Sequence, residues 1–340
     1  MTIDSTGYQP KQHELQTGWL ADIAGRTPAA YFGMVLGLAG LGNAWRAAEQ
    51  TWHVGVGASE YILALAVAVW AILVLLFLVK ASLARDKLAA EVDHPVQCCF
   101  VGLIGVATML VAGAVEPYSY AAAVALFIVG FAFTSIFAVW RTGGLWHGER
   151  DQATTTAVLY LPTVAGSFVT ATIASSLGYQ DWGQLAFGAG IFSWLAIESV
   201  LLHRLLTGPM MLPALRPTLG VQLAPAPVGA VAYIAVSGGA PDVFAHALIG
   251  YGVLQLVVLL RLSRWLREAG AVMGFWAFSF GATSIATAPI RLLGHGDTAA
   301  ISLIAPVAFA LANVFVLGLV IMTLWLLLSG RMYGRPSPAR

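Results

Sequence analysis

Ten runs of about 20 mostly apolar residues follow one another along the chain, near 28–48, 56–79, 96–115, 118–140, 153–177, 183–203, 218–238, 243–262, 269–290 and 300–328. A helix of about that length crosses the hydrocarbon of a bilayer, so the pattern predicts ten membrane-spanning helices. The gaps are too short for an inserted soluble domain. The sequence therefore divides into a tail over 1–27, one transmembrane domain over 28–329, and a second tail over 330–340. Residues 1–27 are polar and end in a charged stretch with Asp22 and Arg26. They do not read as a signal peptide, which leaves the first span as the insertion signal.

The runs alternate in character. Odd-numbered runs hold much of the Gly, Pro, Ser and Thr, such as Gly33, Gly37, Gly40 and Gly42 in the first and Pro225, Pro227 and Gly229 in the seventh. Even-numbered runs are denser in large aliphatics, as in ILALAVAVWAILVLLFLV (62–79) and VFVLGLVIMTLWLLL (314–328). Large aliphatics suit lipid, whereas small and helix-bending residues suit helix contacts or a cavity. The architecture that follows is all-α: five helical hairpins, with the odd helices as an inner ring around a central pore and the even helices outside. Helical spacing adds three candidate pore-lining stripes. Trp276, Phe280, Thr283 and Thr287 recur at one face of the ninth span, Thr163, Ser167 and Thr170 at one face of the fifth, and Gly33, Gly37 and Gly40 in the first. Intramembrane hydroxyls also bond back to their own helix, which is the competing reading of each Thr and Ser.

Composition and charge sharpen this picture. The chain is 59% hydrophobic and 10% charged with mean hydropathy +0.81, against roughly 45–50% and 25% in a soluble domain. Of 17 Lys and Arg residues, only Arg46 and Arg291 fall outside six clusters: Lys11/Arg26, Lys80/Arg85/Lys87, Arg141/Arg150, Arg204/Arg216, Arg261/Arg264/Arg267 and Arg331/Arg335/Arg340. These clusters occupy every second gap. Under the positive-inside rule both termini are cytoplasmic, as in a multi-pass protein of a bacterial inner membrane, and the membrane interior is almost uncharged. The two cysteines, Cys98 and Cys99, are adjacent, poorly placed to bridge each other, and expected on a reducing face.

Several segments resemble the TehA superfamily, which contains bacterial tellurite-resistance proteins, C4-dicarboxylate and malic acid transporters, and the slow anion channels of plant guard cells. They are TPAAYFGMVLGLAGLGNAWRAA (27–48), EVDHPVQCCF (91–100), YLPTVAGSFVTA (160–171), GVQLAPAPVGAVAY (220–233) and GFWAFSF (274–280). The resemblance covers all the odd spans. It implies a homotrimer with one pore per protomer, lined by five kinked inner helices and occluded by an aromatic side chain. By motif position that gate is Phe280. Plant members carry a Pro after it, where this chain has Gly281.

An uncharged wall suits passage of small inorganic anions or dicarboxylates, because weak donors at bent helices let an anion leave as readily as it arrives. Arg46 and Arg291, expected at the outer ends of the first and ninth spans, are candidate vestibule cations, with Glu49 and Asp297 nearby as possible partners. A proton- or ion-coupled transporter of malate or of an oxyanion such as tellurite is the main alternative. Such coupling places a carboxylate in the membrane, and Glu60 and Glu198 are the candidates, Glu198 having bonds across to an inner helix or to Arg204 as its structural alternative. No enzyme is indicated. The seven His residues form no metal-spaced pair, GLAGLG (37–42) lies inside an apolar span and not between a strand and a helix, and neither a cofactor nor nucleic acid is implied. His94, before Pro95 at a membrane boundary, is expected to cap or hydrogen-bond.

Overall fold

The computed structural model describes residues 12–332 apart from 56, 149 and 150. Lys11, Arg150, Arg335 and Arg340 of the basic clusters, and nearly all of the 330–340 tail, lie outside the described residues. Among the described residues all regular elements are helices. Part of the predicted N-terminal tail forms α1 (Gln12–Arg26), which lies against α3 (Ala58–Leu83) and α4 (Arg85–Asp93).

Long, uninterrupted helices form where the sequence is richest in Leu, Val and Ile: α3, α7 (Tyr120–Leu145), α9 (Gln180–Thr207), α11 (Val243–Arg261) and α14 (Ala300–Leu328). These sequences are apolar all round, and only 17–28% of their most apolar windows is buried within the protomer. That is the signature of a helix facing lipid. Their caps are explicit: Ser119 Oγ accepts from Ala122 N at 3.3 Å before α7, and Asp242 Oδ1 accepts from Ala245 N at 2.8 Å before α11.

Between them run helices richer in small residues, most of them shorter. These are α2 (Phe32–Trp52), the pair α5 (Cys98–Val101) and α6 (Leu103–Val115), α8 (Gly166–Ser176), α10 (Pro225–Ser237) and α13 (Ser279–Gly294), with the short α12 (Ser263–Leu266) in a loop. Their stretches 98–115, 157–176 and 213–237 are 72–83% buried. Among the described residues, eight stretches are long and apolar enough to cross a membrane. Helices α2 and α13 fall outside that set. The first carries four glycines with Arg46 and Glu49 over 21 residues, and the second has only 16 residues. Both are nonetheless deep in the molecule.

Each buried helix packs on the exposed helix that follows it: α2 on α3, α6 on α7, α8 on α9, α10 on α11 and α13 on α14. The buried helices also close on one another, α2 on α6, α6 on α8, α8 on α10, α10 on α13 and α13 on α2. Lipid offers no hydrophobic drive for this packing, so close approach at small residues and a few polar bonds must supply it. At the α6–α7 crossing a Cβ on Gly105 would sit 2.6 Å from Gly130 O, and one on Gly130 would sit 2.7 Å from Gly105 O. Indole donors tie buried and exposed helices together: Trp45 Nε1 to Asn313 Oδ1 at 2.8 Å, Trp70 Nε1 to Thr108 Oγ1 at 3.0 Å, and Trp276 Nε1 to Thr323 Oγ1 at 2.8 Å. Each such bond contributes about 0.6 kcal/mol in a membrane.

Candidate functional site

Four of the five buried segments open with a stretch that is not α-helical: 3-10 turns at Ala29–Tyr31, Ala157–Leu159, Pro213–Leu223 and Met273–Phe278, and a π turn at Leu161–Ala165. The remaining one, α5–α6, is interrupted at Gly102. The causes are local. Pro28, Pro162, Pro217, Pro225 and Pro227 each remove a backbone donor. All these irregular stretches lie at the end of the molecule that holds the basic clusters.

A cavity with an empty volume of about 640 Å³ sits where the irregular stretches give way to regular helix. Every buried segment contributes to its wall: Ala30, Gly33 and Leu36; Phe100 and Leu103; Tyr160, Leu161, Val164, Ala165 and Phe168; Val221, Ala224, Pro225 and Val228; Met273, Gly274, Trp276, Ala277 and Phe280. No charged side chain is among them. Phe280 is half-buried, whereas Ser279 and Gly281 beside it are buried. Its ring lies over Gly40, where a Cβ would come 3.3 Å from Phe280 Cδ2. Gly281 has no room for a side chain either, since its Cβ would be 2.8 Å from the Leu223 carbonyl carbon.

The other residues of the sequence stripes divide. Gly33 and Trp276 line the cavity with Phe280. Gly37 and Gly40 instead admit Ser279 and Thr283 of α13, whose Oγ atoms would lie 2.3 and 2.2 Å from a Cβ at those positions. Thr283 Oγ1 donates back to Ser279 O at 3.0 Å and Thr287 Oγ1 to Thr283 O at 2.9 Å, so their protons are held by their own helix. Thr170 faces α6 through Met109 Sδ at 3.4 Å, and Ser167 faces Gly190 of α9. Thr163 Oγ1 is buried without a hydrogen-bond partner among the described residues. None of Thr163, Ser167 and Thr170 is in the cavity wall. The cavity face of this segment is Leu161, Val164, Ala165 and Phe168.

The two isolated cations have different surroundings. Arg46 is spent structurally. Its Nε and Nη2 reach the two carboxylate oxygens of Glu60 at 2.9 and 3.1 Å, and its Nη1 and Nη2 donate to Gly113 O and Ala114 O at the C-terminal end of α6. That closes carbonyls otherwise left open at a helix end. The carboxylates that the sequence places nearby are used elsewhere. Glu49 accepts from Ser59 N and Oγ at the start of α3, and Asp297 lies 3.0 Å from His246 Nε2. Arg291, in the last turn of α13, has no acidic partner among the described residues.

Two arrangements come together only in the fold: the set of donors around Glu198, a carboxylate the sequence already singles out, and a hollow at the basic end. Glu198 of α9 is buried and accepts from Trp194 Nε1 at 2.9 Å, Gln222 Nε2 at 3.0 Å, Tyr251 Oη at 2.6 Å, and the hydroxyl of Tyr160, whose ring lines the cavity. Arg204 is turned away to Pro209 O at 2.9 Å. Below the cavity, and sharing Ala30, Met273 and Gly274 with it, a second hollow of about 900 Å³ is lined by Arg26, Lys80, Lys87, Glu91 and His94. There Lys80 Nζ meets Glu91 Oε2 at 2.8 Å, and Ala29 N donates to Glu91 Oε1 at 2.6 Å. His94 Nδ1 accepts from the backbone N–H groups of Val96 and Gln97 at 3.1 Å each, fixing the turn into α5. Cys98 and Cys99 are both buried.

Comparison with known proteins agrees with this architecture. The chain is 36% identical over 307 residues to the tellurite resistance protein TehA homolog of Haemophilus influenzae, an alignment that covers 90% of this chain and 92% of that one. It is 23% identical over 314 residues to the S-type anion channel SLAH3 of Arabidopsis thaliana, covering 88% of this chain and spanning about half, 48%, of the plant protein. Residues 26–324 match the SLAC1 family, described as voltage-dependent anion channels. With nearly all of its buried and exposed helices inside that match, the chain belongs to the SLAC1/TehA family of membrane anion channels and transporters.

Proposed function

We propose that this protein is a transport protein, not an enzyme: a channel that carries small anions across a bacterial inner membrane, closed in the present conformation by Phe280. In this reading the chain crosses the bilayer ten times as five hairpins, with both termini and the basic end in the cytoplasm. It assembles as a homotrimer with one pathway per protomer. The observation that carries the reading is the uncharged cavity where five interrupted helices meet, with a half-buried Phe ring at its inner wall.

Magnitudes favour conduction over tight binding. An isolated anion in a medium of low dielectric loses tens of kcal/mol of solvation. A helix N-terminus returns roughly 0.3–1 kcal/mol, up to about 2 when partly buried, and the effect fades within one turn. Several such ends around one cavity offset part of the cost, yet none holds the ion as an Arg would. Anions that shed water easily should therefore pass best. The Phe280 ring stands across the route with a negative face and positive edge, so it blocks space and, face-on, repels an anion. Rotation about χ1 would clear it.

The decisive experiment is a reconstituted bilayer or flux assay with chloride, nitrate and malate. Phe280→Ala is expected to raise anion conductance severalfold over wild type. Unchanged currents, with normal expression and assembly, would remove Phe280 from the gate.

Glu198 supports a second reading, a proton-coupled carrier of C4-dicarboxylates or oxyanions, because the carboxylate is separated from the cavity only by Tyr160. The bacterial relative is named for tellurite resistance, so tellurite belongs among the anions to be assayed. If Glu198 relays protons, Glu198→Gln abolishes the pH dependence of uptake. Flux driven by voltage and the anion gradient alone favours the channel.

A further inference from the structure

Behind the segment that carries Phe280, a third and larger crevice opens sideways toward lipid. Its empty volume is about 1680 Å³, against about 640 Å³ for the central cavity. Its side walls come from α11 and α14, and its floor is the back of the Met273–Gly294 stretch: Phe275, Phe278, Ala282 and Ile285. Phe278 and Ala282 flank Phe280 by two residues on each side, so they point away from the central cavity while Phe280 points into it. Almost all the lining is apolar. The exceptions are Ser263 and Arg267, both at the basic end.

The dimensions and the charge identify what fits. Along α14 the crevice runs from Ala308 to Met322, which is about 21 Å at 1.5 Å per residue. One leaflet of hydrocarbon is about 15 Å deep, so the slot takes one acyl chain along its length. At its basic end Arg267 is exposed, its Nε donating to Ser263 O at 3.2 Å, and the exposed Arg261 and Arg264 stand close by in sequence. The neighbouring acid, Glu268, is already paired with Arg216 at 2.5 Å. A cationic rim over an apolar slot is complementary to an anionic lipid and not to a zwitterionic one.

We propose that the α11–α14 crevice is a binding site for an anionic phospholipid of the leaflet at the basic end, with its phosphate on Arg267 and one acyl chain against Phe278 and Ala282. The site rests on the proposed function only in taking α11 and α14 to face lipid. Its failure would leave the Phe280 experiment untouched.

The test is native mass spectrometry of the delipidated full-length protein, titrated with phosphatidylglycerol or with phosphatidylcholine of the same chains. Wild type should bind phosphatidylglycerol the more tightly. Arg267→Gln, at an exposed position, should weaken that binding about fivefold, which corresponds to about 1 kcal/mol, and should leave phosphatidylcholine binding as it was. Val314→Trp, also at an exposed position lining the slot, should weaken both lipids by filling it. Equal affinity for the two lipids, unaltered by Arg267→Gln, would overturn the proposal. So would efficient disulfide formation between protomers through Val314→Cys, because the slot would then hold a second copy of the chain.

Discussion

Glu198 illustrates how a single residue is made tolerable in a membrane. A charged side chain at the centre of a spanning helix costs roughly 2.5–3.5 kcal/mol on insertion scales. Each hydrogen bond to a charged group returns about 1.5–3 kcal/mol, and Glu198 has donors from Tyr160, Trp194, Gln222 and Tyr251. The cage therefore outweighs the burial. Removing the acceptor strands the Trp194 indole and the Gln222 amide, at about 1–3 kcal/mol each. Glu198→Ala should thus lower stability by about 2–6 kcal/mol in thermal unfolding in detergent, and Glu198→Gln by less, since it keeps one acceptor oxygen. A negligible shift for Glu198→Ala would mean that the cage is not formed. Outside the membrane, Asp242 gives a pH-dependent counterpart. The Ala245 N–H first, and then the Tyr233 hydroxyl, hold its carboxyl below the usual carboxylate range. A depressed folded-state pKa contributes stability that is complete above the unfolded value, about 3.9, and is lost as pH falls through the folded value. Acid melts below about pH 4 should show this loss in wild type. Asp242→Asn keeps the cap but has no charge to lose, so it should lack that component. Asp242→Ala should cost about 1 kcal/mol at neutral pH.

At the scale of elements, the contact between α2 and α13 turns on how much space each glycine leaves. A methyl at Gly37 would meet Ser279 Oγ at 2.3 Å and Ser279 Cβ at 2.6 Å, whereas one at Gly33 would meet Trp276 Cβ at an ordinary 3.5 Å. Gly37→Ala should therefore destabilise by about 1–3 kcal/mol through overpacking. Gly33→Ala should fold normally and narrow the cavity, lowering the conductance measured in the Phe280→Ala background. Comparable melts for the two variants would show that the helices are not in close contact here. The same pair of helices shows what the chain discloses in advance. Placing Gly, Pro, Ser and Thr in alternate segments separates buried from exposed helices, because small residues are needed only where backbones approach. The hydroxyl stripe at 163–170 failed for a physical reason. Leu161, Ala165 and Phe168, at the same i, i+4 and i+7 spacing, take the cavity face, which turns Ser167 to α9 and Thr170 to α6. Thr283 and Thr287 spend their hydroxyls on carbonyls four residues back, a choice that residue type leaves open. The donors around Glu198 come from 160, 194, 222 and 251, and only Trp194, one helical turn away, could have been read from spacing. Arg46 chose Glu60 across a loop over Glu49 on its own helix, which tertiary packing alone decides.

For the whole molecule, the question is which fixed charges an anion meets along its route. At the basic end, Arg26, Lys87 and the Lys80–Glu91 pair surround the hollow beneath the cavity. At the other end Arg46 is neutralised by Glu60, which leaves Arg291. Residue 291 follows Phe280 by 11 positions, three helical turns, so it returns to the same face of α13 about 16 Å further along. The far end of the proposed pathway then carries one uncompensated cation above the ring. A unit charge about 8 Å from a permeating ion is worth about 0.5–2 kcal/mol for effective dielectrics between 80 and 20, a factor of about 2 to 30 in local anion concentration. Arg291→Gln should reduce anion conductance by a factor in that range at 10 mM salt, where the screening length is about 30 Å. The deficit should shrink toward 1 M, where it is about 3 Å. Arg46→Gln should behave differently. Its loss frees Glu60 and the carbonyls of Gly113 and Ala114, so the change appears as a lower melting temperature at every salt concentration. If both substitutions lowered conductance with the same salt dependence, the division between a steering cation and a structural one would fail, and the outer field would have to be shared between them.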